Sequence, residues 1–88
     1  MSLQSEDSKK YAAQADLQKL PVKVGEWYIH YKGGEYEVIA LALKEDTLEP
    51  LVIYRSPQHN NTVWARIFDE WNRDVQWEGK TVQRFRKK

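Results

Sequence analysis

The stretch HYKGGEYEV, residues 30–38, places the residue types of two kinds of chemistry side by side. His30 and Glu37 are a histidine and a carboxylate, the pair that general acid–base catalysis uses. Gly33 and Gly34 could cradle a phosphate, but neither G-x-x-x-x-G-K-[ST] nor G-x-G-x-x-G occurs there. The double glycine therefore predicts a two-residue hairpin turn, since such turns need positive φ.

This turn fixes a predicted register between the two strands that flank it. Tyr31 would pair with Tyr36, and His30 would pair with Glu37. The inward face would then carry Ile29, Tyr31, Tyr36 and Val38. On the outer face, His30 and Glu37 would form either the acid–base pair of a small hydrolase or a surface cross-strand pair. The surface pair is favoured, because the sequence offers no nucleophile or third orienting group.

Arginine and aromatic side chains recur on two later strands. Tyr54 and Arg55 end one predicted strand, while Trp64 and Arg66 lie two residues apart on the next and point the same way. A guanidinium beside aromatic rings can hold a carboxylate or phosphate, or stack on a planar group. The predicted ligand-binding residues are His30, Tyr31, Thr47, Glu49, Tyr54, Arg55, Trp64 and Arg66.

Each of these residues also has a purely structural interpretation. Arg55 and Arg66 can form surface ion pairs with nearby glutamates, which are worth about 0–1 kcal/mol. Tryptophans in so small a domain usually cover the core, and Thr47 can simply fix a turn. For the set as a whole, the sequence leaves both interpretations open.

Composition limits the size of the fold and the kinds of binding site that the chain can form. The 88 residues make one domain, and four Trp and five Tyr supply the large rings that a small core needs. The lack of cysteine rules out disulfides and cysteine-based zinc sites, and two histidines are too few for a metal cluster. The longest apolar run, residues 38–43, is too short to span a membrane, and no signal peptide is visible. We predict a cytoplasmic protein without a metal, a cofactor or a membrane partner.

Periodicity and turn residues predict a mainly β fold. Residues 5–20 have the pattern of a helix that Ser5 caps, that carries Glu6 and Asp7 in its first turn, and that Pro21 ends. Five or six short antiparallel strands follow, which is typical of a small SH3-like barrel, closed or partly open. The strands are predicted at 26–31, 36–43, 51–54, 62–66, 75–77 and 81–85, the last two joined by a turn at Glu78-Gly79. The predicted division is a helical extension (1–22), a β-barrel domain (23–86) and a basic tail (87–88).

Charge is unevenly distributed along the chain. Residues 24–78 carry five basic and ten acidic side chains, whereas residues 79–88 carry five basic ones and no acid. An acidic body with a basic end is not the electrostatic pattern of a nucleic-acid-binding face, so binding of nucleic acid through the tail is possible but not favoured.

The order of short motifs resembles a known family. "HYKG", "YEV", "TLE", "VIYR", "WAR" and the closing "RF" run in the order found in the small bacterial family catalogued as domain of unknown function 1653. The resemblance extends from Gly25 to about Phe85, and the chain departs from it at Ile67 and Gln83, where the family has proline. It implies a compact single-domain β protein and no particular activity.

Taken together, these features predict a non-enzymatic binding module. Its ligand would be a peptide, a protein surface or a nucleotide-like molecule, held by aromatic and arginine side chains. The alternatives are a small metabolite-acting hydrolase that uses His30 and Glu37, and nucleic-acid binding by the basic tail with aromatic stacking from the barrel.

Overall fold

A computed structural model describes the backbone of residues 5–88 and the side chains from residue 9 onward. The predicted cap Ser5 and first-turn acids Glu6 and Asp7 therefore have side chains outside the described residues. Among the described residues, neither helix has the length and apolar character needed to cross a bilayer. The elements are α1 (Ser5–Leu17), β1 (Trp27–His30), β2 (Glu35–Leu43), β3 (Pro50–Ser56), a 3-10 turn (Pro57–His59), β4 (Thr62–Ile67), α2 (Phe68–Trp71), β5 (Asp74–Trp77), β6 (Lys80–Gln83) and β7 (Phe85–Lys87).

The strands form two antiparallel sheets. Five of them pair in the order β4-β3-β2-β1-β7, and β5 and β6 form a separate hairpin. Within residues 5–88, β4 and β7 are the two edges of the large sheet and are not paired with each other. The mainly β prediction is confirmed, but the sheet is open, so the SH3-like barrel is not. After β4 the chain turns into α2, which brings Trp71 onto Phe85 of β7.

The predicted last strand is divided in two. Residues 80–83 form β6 and pair with β5, whereas Phe85–Lys87 form β7 and pair with β1. Arg84 lies at the junction, and its carbonyl accepts a hydrogen bond from the Tyr31 N–H at 3.0 Å. The residues predicted as a basic tail are part of this arrangement, since Lys87 lies in β7 and the Lys88 N–H donates to the Trp27 carbonyl at 2.9 Å.

The first hairpin has a different register from the predicted one. Tyr28, not Tyr31, lies opposite Tyr36. The Gly33 N–H closes a turn on the His30 carbonyl at 2.8 Å, so Tyr31 and Lys32 are the central residues of the turn and Gly33 is its last residue. Gly33 and Gly34, both with φ above +90°, then lead the chain into β2. The predicted two-residue loop is therefore wrong: the glycines supply positive φ at the end of the turn and directly after it, and the register shifts by three residues.

A shift by an odd number of residues moves side chains to the opposite face of a strand. His30 now shares the inner face with Tyr28 and Tyr36, whereas Glu37 lies on the outer face opposite Arg55. The predicted pairing of His30 with Glu37 is therefore wrong. Glu37 instead accepts a hydrogen bond from the Arg55 Nε at 2.6 Å, which satisfies both charges.

The turn predicted at Glu78-Gly79 is confirmed. Trp77 pairs directly with Lys80, which leaves a two-residue loop between β5 and β6. Both loop residues have positive φ, 52° at Glu78 and 77° at Gly79, as tight hairpin turns with the right twist require.

Aromatic rings make up most of the core. Trp71, which is 2% exposed, stacks face to face on Phe85 with ring centroids 3.8 Å apart. A bulge between Val38 and Ala40 changes the phase of β2, and Leu41 packs against the core beyond it. The buried core residues are Val22, Tyr28, Val38, Val52, Tyr54, Trp71 and Phe85.

Candidate functional site

A cleft of about 410 Å³ opens on the inner face of the sheet. Four of the eight predicted ligand-binding residues line it, together with three other residues. We call it the aromatic cleft, and its lining residues are His30, Tyr36, Tyr54, His59, Trp64, Arg66 and Phe85.

The sheet register brings these side chains to one place. Directly opposite residues of an antiparallel pair point to the same face, and Tyr54 lies opposite Trp64. In the same way, β7 pairs with β1 so that Phe85 lies opposite His30. Residues from five strands, β1, β2, β3, β4 and β7, thus converge on the cleft, although β1 and β7 lie far apart in the sequence.

Arg66 is the cationic group of the aromatic cleft. Its side chain is 29% exposed. Its Nε donates to the Tyr54 hydroxyl at 3.4 Å, and its Nη1 lies 3.6 Å from a Glu70 carboxylate oxygen. Strong charge-assisted hydrogen bonds measure about 2.7–2.9 Å, so both contacts are loose. The guanidinium therefore keeps donor capacity for a ligand.

Rings fixed by packing form the walls. Tyr54 makes edge-to-face contacts with Tyr36 at 5.4 Å and with Phe85 at 5.7 Å between centroids. Trp64, which is 48% exposed, donates from its indole Nε1 to the buried Ser56 hydroxyl at 3.1 Å. These contacts hold the rings in place, so little side-chain freedom is lost when a flat group enters.

His30 contributes a neutral ring to the aromatic cleft. Its centroid lies 5.0 Å from that of Phe85, in an edge-to-face contact. Burial lowers the pKa of His30 below its ordinary value, and the positive charges of Arg66, Arg84 and Lys32 lower it further. At neutral pH the ring is uncharged. Its Nδ1 accepts a hydrogen bond from the Lys32 N–H at 3.2 Å, so Nε2 carries the proton and can donate a hydrogen bond.

This electrostatic arrangement predicts a pH effect. Because the folded pKa of His30 lies below the ordinary 6.5, the unfolded chain binds the proton first as the pH falls. His30 therefore lowers stability as the pH decreases from about 6.5 through its folded pKa. An NMR titration of the imidazole should give a midpoint below 6.5, and Arg66→Gln should raise that midpoint by removing a nearby positive charge. Arg73→Gln, which changes an exposed arginine outside the cleft, should leave it unchanged, and equal shifts in both variants would contradict this assignment.

Arg55, Thr47 and Glu49 lie outside the aromatic cleft. Arg55 is on the outer face of the sheet, where it is held by Glu37 and by the Asn61 side-chain oxygen at 2.6 Å. Thr47 donates from its hydroxyl to the Glu49 carboxylate at 2.9 Å and accepts the Glu49 N–H at 3.3 Å. These local bonds fix the turn between β2 and β3.

Tyr31 also lies outside the aromatic cleft, in the loop between β1 and β2. Its ring meets that of Trp77 edge to face at 5.2 Å, and the Lys32 ammonium lies 5.7 Å from both ring centroids. A smaller cleft of about 220 Å³ forms beside them.

Three lining residues were missed, for different reasons. Tyr36 was assigned to the core, and it does pack against the core while lining the cleft. Phe85 belongs to the closing motif, but its place beside His30 depends on the long-range pairing of β7 with β1. His59 follows a proline in a polar loop, and no local pattern predicts that the 3-10 turn brings it to the cleft.

Comparison with known proteins gives two matches. Residues 26–87 match the family model described as "Protein of unknown function (DUF1653)". The fold is also similar to the crystal structure of a DUF1653 protein from Bordetella bronchiseptica, at 28% sequence identity and a TM-score of 0.61. That similarity covers 78% of this chain and 87% of the other. No curated protein matches the chain.

Proposed function

The chain belongs to the DUF1653 family, and since membership carries no established activity, we propose from the aromatic cleft that it is a non-enzymatic binding module. The observation that carries this proposal is the Arg66 guanidinium, which lies among fixed aromatic rings with only loose contacts at 3.4 and 3.6 Å. We assign the module to the cytoplasm as part of the same proposal.

The ligand that suits this cleft is a flat group with an acidic substituent. A volume of about 410 Å³ lies within the range of small-molecule sites, roughly 300–1,000 Å³. A planar ring can lie against Trp64 or Tyr36, while a carboxylate or phosphate reaches Arg66. A nucleotide-like molecule has this chemistry, and so does an aromatic residue beside an acid on a peptide or protein surface.

The two alternatives receive less support. A hydrolase that used His30 and Glu37 would need both groups at one place, yet they lie on opposite faces of the sheet. Phosphate binding by the basic end would compete with existing ion pairs, because Lys87 is 2.6 Å from Glu26 and Lys88 is 3.0 Å from Glu35. Because His30 and Glu37 are on opposite faces, we assign no acid–base function to them.

Arg66→Gln tests the proposal. The probes are adenosine monophosphate with adenosine as its uncharged match, and N-acetyltyrosine with its uncharged amide. Tryptophan fluorescence should detect saturable binding of at least one charged probe, with its uncharged match much weaker. Because hydrogen bonds to charged groups are worth about 1.5–3 kcal/mol, Arg66→Gln should raise Kd about tenfold or more.

Arg73→Gln is the matched control, because Arg73 is exposed and does not line the aromatic cleft. It should leave Kd unchanged, and circular dichroism should show both variants folded. Equal affinity for the charged and uncharged members of each pair, or an unaltered Kd in Arg66→Gln, would contradict the proposal.

A further inference from the structure

A second cleft, of about 290 Å³, shares the Phe85 ring with the aromatic cleft. Trp71 also lines it, so the stacked Trp71–Phe85 pair supplies an apolar wall. Its polar side chains, apart from that of Tyr28, come from the end of α2, from the end of β6, from the junction between β6 and β7, and from β7. We call it the Arg84 cleft, and these polar residues are Asn72, Gln83, Arg84 and Lys87.

The Arg84 guanidinium carries an unsatisfied donor. Its Nε is buried and has no hydrogen-bond partner among the described residues. An unpaired buried donor costs about 1–3 kcal/mol, and more when it is charged, so nearly all such groups in folded proteins are satisfied. A group that supplied an acceptor at this position would remove that cost.

The charges around Arg84 specify what the acceptor should be. Among the described residues that line the Arg84 cleft, none is acidic. Lys87 is already paired with Glu26 at 2.6 Å, whereas Arg84 has no acidic side chain within ion-pair distance in the described part of the chain. The side-chain amides of Asn72 and Gln83 can donate further hydrogen bonds.

We infer that the Arg84 cleft binds an oxyanion, the carboxylate or phosphate group of a ligand, at the Arg84 guanidinium. The planar guanidinium offers donors in the geometry that both groups accept. This site is separate from the one proposed around Arg66, and the two do not depend on each other.

An NMR titration of the isotope-labelled full chain tests the inference. Inorganic phosphate and acetate are added separately, with sodium chloride holding the ionic strength constant, and the Arg84 Nε–H and the Asn72 and Gln83 amide resonances are followed. At least one anion should give saturable shifts of these signals, and the two titrations show whether phosphate or carboxylate binds better. In Arg84→Gln, Kd should rise about tenfold or more.

Three further variants separate the possible outcomes. Arg86→Gln, an exposed arginine that does not line this cleft, should bind the anion as the unchanged chain does. Arg66→Gln should also retain anion binding in the Arg84 cleft. A failure of this inference is therefore distinguishable from a failure of the proposed function. If Arg84→Gln does not fold, Arg84→Lys keeps the charge but lacks Nε, and its Kd should still rise several-fold. Shifts that grow without saturation, or saturable shifts of the Asn72 and Gln83 amides that survive loss of Arg84, would overturn the inference.

Discussion

A chain that ends at Arg84 is expected to lose cooperative folding. The truncation removes β7, one edge of the large sheet, and with it the Phe85 ring, which is 7% exposed. That ring stacks on Trp71 at 3.8 Å and meets Tyr54, Tyr36 and His30 edge to face. Losing a buried phenylalanine ring alone costs about 3–5 kcal/mol, and the hydrogen bonds of β7 to β1 are lost as well. A domain of this size has a total stability of about 4–13 kcal/mol, so little would remain.

Urea unfolding followed by tryptophan fluorescence and circular dichroism measures this effect. The matched control is a chain that ends at Arg86, which keeps Phe85 and removes only Lys87 and Lys88. It loses the ion pairs of Lys87 with Glu26 and of Lys88 with Glu35, and the hydrogen bond from the Lys88 N–H to the Trp27 carbonyl. We expect it to fold with about 1–2 kcal/mol less stability. A sharp unfolding transition in the shorter chain would show that β7 is dispensable.

Trp71→Ala is expected to lower the free energy of unfolding by about 3–5 kcal/mol. Trp71 is the buried residue that covers the open side of the sheet, and it is held on three sides. It stacks on Phe85 and receives edge contacts from Tyr28 at 5.2 Å and Tyr54 at 5.0 Å. Its removal leaves a cavity that these fixed rings cannot fill by small movements.

Trp77→Ala is the matched control for this variant. Trp77 is 38% exposed and lies on the separate β5–β6 hairpin, where its ring contact is with Tyr31. We expect a loss of about 1 kcal/mol for this partly exposed site. Equal midpoints for the two variants in urea would mean that α2 contributes no more to the core than the hairpin surface does.

Local sequence patterns predicted the strands well, because the formation of most strands depends on residues that are neighbours in the sequence. Five of the six predicted strands are found, while the sixth is divided between β6 and β7. The β5–β6 turn is correct because Glu78 and Gly79 are both in the loop itself. The predicted register of the first hairpin was wrong because a double glycine fits either the centre of a turn or its end. The sequence could not distinguish these placements, and the three-residue shift moved His30 to the other face.

Half of the predicted ligand-binding residues line the aromatic cleft, and here too local patterns succeeded where long-range pairing was not involved. Trp64 and Arg66 share a face by simple alternation within one strand, so their placement followed from the sequence. Tyr54 and Arg55 are adjacent on β3 and face opposite sides, which means that only one of them could belong to the aromatic cleft. The approach of Phe85 to His30 depends on strand order, which no local pattern contains.

The pairing of β7 with β1 also has a consequence for how fast the molecule folds. Adjacent hairpins such as β5–β6 close short loops and form within microseconds, roughly 1–10 μs. The β1–β7 ladder joins residues at opposite ends of the sheet-forming chain, and loop-closure entropy must be met before its contacts stabilise anything. We therefore expect the pairing of β1 with β7 to limit the overall folding rate. The domain should fold at a rate closer to that of slow all-β domains than to that of fast helical ones.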